Sequence, residues 1–173
     1  MACVTNYSKM ASVVIKCEDV PTGGLQALKL GILGDHPIVT EDDGATYTTD
    51  LSKKLIELTF NKKDEATKFN EVTNTVAGGS KVTVPTVTVQ FAGINKATRD
   101  AIMKLANPMV KVCIFATTAD GKIWALGREF GMMLTSVTMN TGTSASDFNG
   151  YRLTFTGEEK EKALEIQHKG VGG

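Results

Sequence analysis

The sequence has few of the residues that mark the commonest functional sites. It holds three cysteines, Cys3, Cys17 and Cys113, and two histidines, His36 and His168. The cysteines are odd in number and lack the spacing of metal ligands, so they predict reduced thiols rather than a disulfide framework or a zinc site. Neither histidine lies in a recognisable motif with a serine or cysteine, which argues against a catalytic triad.

The sequence also lacks an excess of charge of either sign. Nineteen Lys and Arg balance nineteen Asp and Glu, and the formal net charge is zero. Binding to nucleic acid or to anionic lipid depends on clustered Lys and Arg, so this balance argues against a dedicated nucleic-acid binder and a polybasic membrane binder. Weak self-repulsion permits identical copies to pack densely.

Long apolar runs are missing as well. No stretch approaches the roughly 20 apolar residues of a spanning helix, and the run from Ala11 to Ile15 is too short for the apolar core of a secretion signal. We therefore expect no membrane insertion and synthesis in the cytoplasm. With 173 residues, 42% of them hydrophobic, we expect one packed domain over 1–173, with an N-terminal arm (about 1–22) and a C-terminal tail (about 158–173).

No segment carries a recognisable catalytic or cofactor motif. The turn-rich acidic run from Asp35 to Gly44 lacks the ligand spacing of a calcium loop and is interpreted as a solvated loop. Gly127 to Gly131 lacks the Lys-Ser/Thr of a phosphate loop and predicts a β-turn. The pair Glu158 and Glu159 is interpreted as a solvated run at a strand end, and Cys113 as a buried, inert thiol. The sequence predicts no enzyme, no cofactor and no metal site.

What the sequence does have is the alternation of β-strands. One helix is predicted, from Asn95 as its N-cap to Ala106, with Pro108 ending it. A further short strand is possible around Val13 to Ile15. The pattern predicts a mainly β protein, an antiparallel β-sandwich or barrel with one flanking α-helix. The clear strands run over Leu25–Leu33, Lys53–Phe60, Phe69–Val76, Lys81–Phe91, Met109–Ala119, Lys122–Leu126, Met132–Met139 and, as the last strand, Tyr151–Thr156.

Two local features make sharper predictions. Pro85 interrupts the longest β-branched run, and because proline cannot donate to a ladder, this strand is expected at a sheet edge or with a bulge. Asp120 and Gly121 predict a two-residue hairpin turn. That turn would place Trp124 near Thr117 on the neighbouring strand.

The C-terminal half resembles a family of phage structural proteins. Roughly residues 90–160 are similar to small proteins of phages and prophages of Bacteroides-type hosts. The segments that carry the resemblance are the helix from Asn95 to Leu105, a Val/Ile strand, the run Asp120 to Gly127, and the run Asp147 to Glu159. Those proteins look like tail-tube or tail-neck ring subunits. The resemblance implies a β-sandwich or barrel with one helix, no catalytic residues, a place in the virion, and contacts with other phage tail or neck proteins.

The resemblance further implies a homo-oligomeric ring, six-fold or twelve-fold, in which copies share sheets around a channel. The channel passes DNA without sequence-specific binding. Fixed cations would hold phosphates, so we predict a neutral or acidic wall without rows of Lys or Arg. The predicted lumen-facing residues are Glu57, Thr59, Thr86, Thr88 and Gln90.

Two other functions stay open from the sequence. One is a neck, connector or tail-completion ring of the same fold. The other is a monomeric ligand-binding β-barrel, which would need a concave apolar pocket. Unpaired sheet edges would favour a ring, because exposed edges are normally covered or paired with a neighbour. A closed sheet with an internal cavity would favour the carrier.

Overall fold

The structure is a computed structural model that describes residues 23–35, 40–42, 46–49, 55–60 and 67–168. These residues form eleven strands and one helix. In chain order the elements are β1 (Leu25–Ile32), β2 (Thr40–Asp42), β3 (Thr46–Thr49), β4 (Ile56–Leu58), β5 (Lys68–Thr75), β6 (Lys81–Ala92), α1 (Lys96–Leu105), β7 (Val112–Thr118), β8 (Ile123–Leu126), β9 (Met132–Asn140), β10 (Gly150–Gly157) and β11 (Leu164–His168).

The strands form two packed layers. The large sheet has the order β4-β1-β7-β8-β11-β3-β2, and the small sheet has the order β9-β10-β6-β5. They meet where Val112 of β7 pairs with Met132 of β9. Neighbouring strands are antiparallel except for β3 and β11, which are parallel. The predicted antiparallel sandwich with one flanking helix is therefore confirmed, and within the described residues the sheet does not close into a barrel.

The main core lies between the two sheets. Leu28 and Leu30 from the large sheet are fully buried, and Val89 and Phe155 from the small sheet are about 1% exposed or less. Successive side chains of a strand point to opposite faces, so these alternating residues all reach the layer between the sheets. Each buried aliphatic or aromatic side chain of this size stabilises the fold by about 1.5–3 kcal/mol relative to its exposed state.

Strand β7 is buried on both of its faces. Val112 and Ile114 face the main core, while Cys113 and Phe115 belong to a second apolar cluster with Ile166 of β11. A strand buried on both faces has a continuous apolar run instead of strict alternation. This position confirms the prediction that Cys113 is a buried thiol: its burial, with the negative charge of Glu159 nearby, raises its pKa to about 12.

Helix α1 begins and ends as the sequence predicts. The Asn95 side chain caps it, since Oδ1 accepts a hydrogen bond of 2.8 Å from the backbone N–H of Thr98. Ile102 is buried in the main core and Leu105 packs against it. The helix thus flanks the sandwich through a narrow apolar stripe, and Met103 on its other side is 58% exposed.

The prediction that Pro85 marks an edge or a bulge is wrong. Strand β6 lies between β5 and β10, and Pro85 pairs with Glu71 without a register shift. The ladder to β10 is paired as far as Thr86, and pairing resumes at Thr83, which exchanges two backbone hydrogen bonds of 2.8 Å with Glu159. Backbone groups alternate in direction, so position 85 faces this gap, where no ladder hydrogen bond needs its N–H.

The predicted two-residue turn at Asp120 and Gly121 is also wrong. Thr118 N–H donates to the carbonyl oxygen of Lys122 at 2.9 Å, which leaves three residues in the loop, and Gly121 takes φ of 84°. Three-residue hairpin loops commonly end on a residue in the left-handed region. The extra loop residue moves the register by one, so Trp124 pairs with Ala116 and not with Thr117.

Four predictions about strands need correction or fall outside the described residues. Thr40–Asp42 is a strand inside the region predicted as a solvated loop. Leu164–His168 forms β11, so Tyr151–Thr156 is not the last strand. Of the strand predicted over Lys53 to Phe60, the structure describes residues 55–60, and of these Ile56–Leu58 form β4. The strand suggested around Val13 to Ile15 lies outside the described residues.

Candidate functional site

The face of the small sheet that points away from the core is the best candidate for a functional surface, and we call it the outer face. Cross-strand partners share a face. The residues of the outer face are therefore those that alternate along each strand with the core-facing residues and pair with one another across the strands. Most are uncharged and polar. They are Lys68, Asn70, Val72, Asn74, Val82, Val84, Thr86, Thr88, Gln90, Met133, Ser136, Thr138, Asn140, Arg152, Thr154 and Thr156.

Hydroxyl side chains form rows across this face. Thr88 pairs with Thr154, which pairs in turn with Ser136. Thr86 pairs with Thr156 in a neighbouring row. β-branched threonine suits the extended backbone and contributes modest cross-strand stabilisation. The result is a polar surface without an acidic side chain, since Glu71, the acidic residue of β5, lies on the core side of the sheet.

Two cations lie on the outer face. Lys68 is exposed on β5, and Arg152 lies on β10. Arg152 donates from Nε and Nη2 to Oε1 of Gln90, at 2.9 and 2.7 Å. This two-bond contact fixes the guanidinium along the sheet and uses part of its capacity to bind another acceptor. Lys68 and Arg152 are not cross-strand partners, so they do not form a cationic row.

The five residues predicted to face a lumen fall into two groups. Thr86, Thr88 and Gln90 lie together on the outer face, where Gln90 is 6% exposed and the two threonines are half-buried. Glu57 lies on β4, opposite Lys29 of the large sheet, and Thr59 follows that strand. Alternation was visible in both segments. The sequence did not indicate that they belong to different sheets.

Both edges of the small sheet are open along most of their length in the described residues. Strand β9 pairs with β10 on one side and, on the other, only Met132 is paired. Strand β5 pairs with β6 alone. Near the open edge of β9, Val137 and Met139 are 43% and 56% exposed although they point toward the core side of the sheet. The large sheet therefore leaves part of β9 uncovered.

Glu159 ties the ends of the two sheets together, and sequence reasoning missed it. It is 7% exposed, so its interpretation as part of a solvated pair is wrong. Its carboxylate accepts hydrogen bonds from the backbone N–H groups of Glu129 (3.1 Å) and Phe130 (3.0 Å). These amides belong to the turn from Gly127 to Gly131, whose two glycines take φ of 70° and 76° as expected for a turn.

Surface contacts surround this junction. Lys160 Nζ lies 3.9 Å from Glu129 Oε2 and 5.4 Å from the centroid of the Phe130 ring. Arg128 Nη2 lies 3.7 Å from Glu161 Oε2. Exposed pairs of this kind contribute less than about 1 kcal/mol each, so the two partly buried hydrogen bonds of the Glu159 carboxylate contribute more to the junction.

The clefts on the described surface include two of several hundred Å³. One, of about 510 Å³, lies at the end of the outer face between Val84, Phe130 and Met133. The other, of about 720 Å³, lies between α1 and β4 and is lined mainly by apolar residues such as Ile56 and Ala101. The lining of the first cleft includes Lys111, Glu158, Glu159 and Lys160. The described residues include no cluster of three His, Cys, Asp or Glu side chains that could hold a metal.

In the part of the chain that the structure describes, no helix combines the length and hydrophobicity needed to cross a bilayer. Comparisons of the chain with protein-family models, with curated proteins and with solved structures find no match.

Proposed function

We propose that this chain is a structural subunit of a phage tail tube, and that copies of it assemble into rings around a channel that conducts DNA. The observation that carries the proposal is the outer face, a polar surface rich in threonine on a sheet whose two edges are open along most of their length in the described residues. The role of this face in the channel would be mechanical, since nothing on it resembles a catalytic constellation.

The chemistry of the outer face suits a wall along which DNA slides. Phosphates are held by fixed Lys and Arg, and each contact made adds to affinity. Threonine, serine and asparagine keep the wall wetted without fixed charge. Of its two cations, Arg152 already donates twice to Gln90. We therefore assign Thr86, Thr88 and Gln90 to the lumen, and place Glu57 and Thr59, which lie on the large sheet's side, away from it.

The proposal is tested first by the mass of the purified chain in solution, measured by light scattering, with negative-stain images of the same sample. Rings or tubes of uniform diameter are expected, and their rotational symmetry separates a tail tube from a neck or connector ring. A monomer at every concentration up to the solubility limit contradicts assembly by the chain alone.

The direction of the outer face is tested by gold labelling of single cysteines. Thr88→Cys is expected to place gold inside the ring, whereas Gln26→Cys, at an exposed position on β1, is expected to place it outside. Both variants carry serine at Cys3 and Cys17, and Cys113 is buried. Gold outside the ring for Thr88→Cys contradicts the assignment of this face to the channel.

A monomeric ligand carrier is favoured by one observation, the apolar cleft of about 720 Å³ between α1 and β4. Its size is that of a small-molecule site. The sheet does not close around it in the described residues, so an enclosed barrel cavity is absent there. A monomer that binds an apolar fluorescent dye, and loses that binding in Ala101→Trp, supports the carrier over the ring.

A further inference from the structure

Strand β9 has the composition of an edge that receives another strand. None of its nine residues, Met132 to Asn140, is charged. Proteins that keep an edge strand unpaired usually protect it with charge, proline or a covering element, because its free backbone groups otherwise pair with another chain. Beyond Met132, the side of β9 that faces away from β10 pairs with no other strand within the described residues.

Side-chain burial on β9 indicates the same contact. Val137 pairs with Leu153, and Met139 pairs with Tyr151. Those two partners are 1% and 4% exposed, whereas Val137 is 43% and Met139 56% exposed. These four residues lie on the same face of the same sheet. Their exposed fractions differ because β9 projects past the edge of the large sheet. An added strand with its own layer of side chains would complete this cover.

The other open edge of the same sheet fits as the incoming strand. Strand β5 has eight residues and β9 has nine. The four strands alternate in direction, β9 against β10, β10 against β6, and β6 against β5. In a cyclic arrangement that keeps the sheets in one orientation, β5 of the next copy therefore runs antiparallel to β9. A contact between two different surfaces of identical copies repeats until the ring closes.

We propose that the open edge of β9 pairs with β5 of a second copy of this chain, antiparallel and with the faces matched. A slip of one residue would turn every side chain to the opposite face, so the pairing is fixed to registers that place Val137 and Met139 opposite two successive core-side residues of the neighbour's β5, drawn from Phe69, Glu71, Thr73 and Thr75. This inference rests on the proposed ring and names the strands that build it.

The pairing is tested by mixing single-cysteine variants under mild oxidation, with serine at Cys3 and Cys17. Variants of β9 (Ser136→Cys, Thr138→Cys) and of β5 (Asn70→Cys) all lie on the outer face. Each β9 variant is mixed with the β5 variant, and at least one of these two mixtures is expected to give a disulfide-linked dimer. Neither kind of variant alone is expected to cross-link.

A face control accompanies this test. Val137→Cys points to the opposite side of the sheet, so mixed with Asn70→Cys it is expected to cross-link at least tenfold less than the best outer-face pair. Cross-linking of a β9 variant with itself overturns the inference, because it means that two β9 edges meet. Equal cross-linking of Val137→Cys and Thr138→Cys also overturns it.

The outcome is separable from that of the proposed function. Rings without any β9–β5 cross-link leave the tube proposal standing and overturn the pairing. Cross-linked open chains that never close support the pairing and contradict the tube. Val137→Lys gives a second readout: it is expected to shift the chain to monomers that keep the circular dichroism spectrum of the wild type, whereas Glu57→Lys on the large sheet is expected to leave assembly intact. Unchanged assembly of Val137→Lys counts against the pairing.

Discussion

Removal of the Glu159 carboxylate is expected to destabilise the fold through two backbone amides. In Glu159→Ala the N–H groups of Glu129 and Phe130 lose acceptors at 3.1 and 3.0 Å. A buried donor left without a partner costs about 1–3 kcal/mol. Both residues have exposed side chains, so water can partly replace the carboxylate, and a loss near the lower end of that range, about 1–1.5 kcal/mol for each donor, applies. The two losses together predict about 2–3 kcal/mol.

The free energy of unfolding is measured by urea denaturation of the monomeric fraction, with thermal unfolding as a second readout. A loss of 2–3 kcal/mol corresponds to about 4–12 °C in melting temperature for a chain of this length. The matched control is Glu158→Ala, because Glu158 is the exposed neighbour in the same segment. The control is expected to change stability by less than about 0.5 kcal/mol.

Glu159→Gln separates the charge from the shape of the side chain. The amide keeps one oxygen for one of the two N–H groups and presents an N–H₂ group to the other, so an intermediate loss is expected. If Glu159→Ala and Glu158→Ala have the same free energy of unfolding within 0.5 kcal/mol, the two hydrogen bonds do not stabilise the junction and the reasoning is refuted.

Three further predictions concern other parts of the chain. Hydrogen bonds in its loop hold the pKa of Asp147 below the usual range. Its stabilisation is therefore full above about pH 4 and falls as the pH drops through the folded pKa, and the difference in urea midpoint between wild type and Asp147→Asn should shrink from about pH 5 to about pH 2. Cys113 should not react with a thiol reagent at about pH 8 until urea unfolds the chain, since its pKa is raised to about 12; fast reaction in the native state would contradict its burial. A Cβ at Gly150 would lie 2.2 Å from the carbonyl oxygen of Phe91, so Gly150→Ala should lose about 1–3 kcal/mol, while Gly23→Ala, with nothing within 4 Å, should lose little in the same urea assay.

The sequence predicted the elements that depend on local pattern. Helix α1 was predicted because Asn95 supplies a cap and its apolar residues recur at helical spacing. The long strands were predicted because alternation reports which residues share a face. The register at Trp124 was wrong by one because the loop length depends on which hydrogen bond closes the turn, and Asp120-Gly121 is compatible with loops of two or three residues.

Features that depend on distant partners could not be predicted. Pro85 is tolerated inside the sheet because the neighbouring ladder has a gap there, and that gap is a property of β10 and the segment after it. Glu159 looked like a surface acid because the turn that it binds lies thirty residues earlier. Alternation placed Thr86, Thr88 and Gln90 on one face of one strand, but the strand order that separates them from Glu57 is not encoded in alternation.

The position of β7 has a consequence for the order of folding. The small sheet uses one stretch of chain, from Lys68 to Gly157. The centre of the large sheet instead pairs Leu28 with Ala116, and its far side needs Ile166 beside Tyr47. Contacts between residues far apart in sequence form late because a long loop must close first. During synthesis β11 is made last, so the small sheet can form before the far side of the large sheet is complete, and the uncharged edge of β9 is available to other nascent chains before its own subunit is complete.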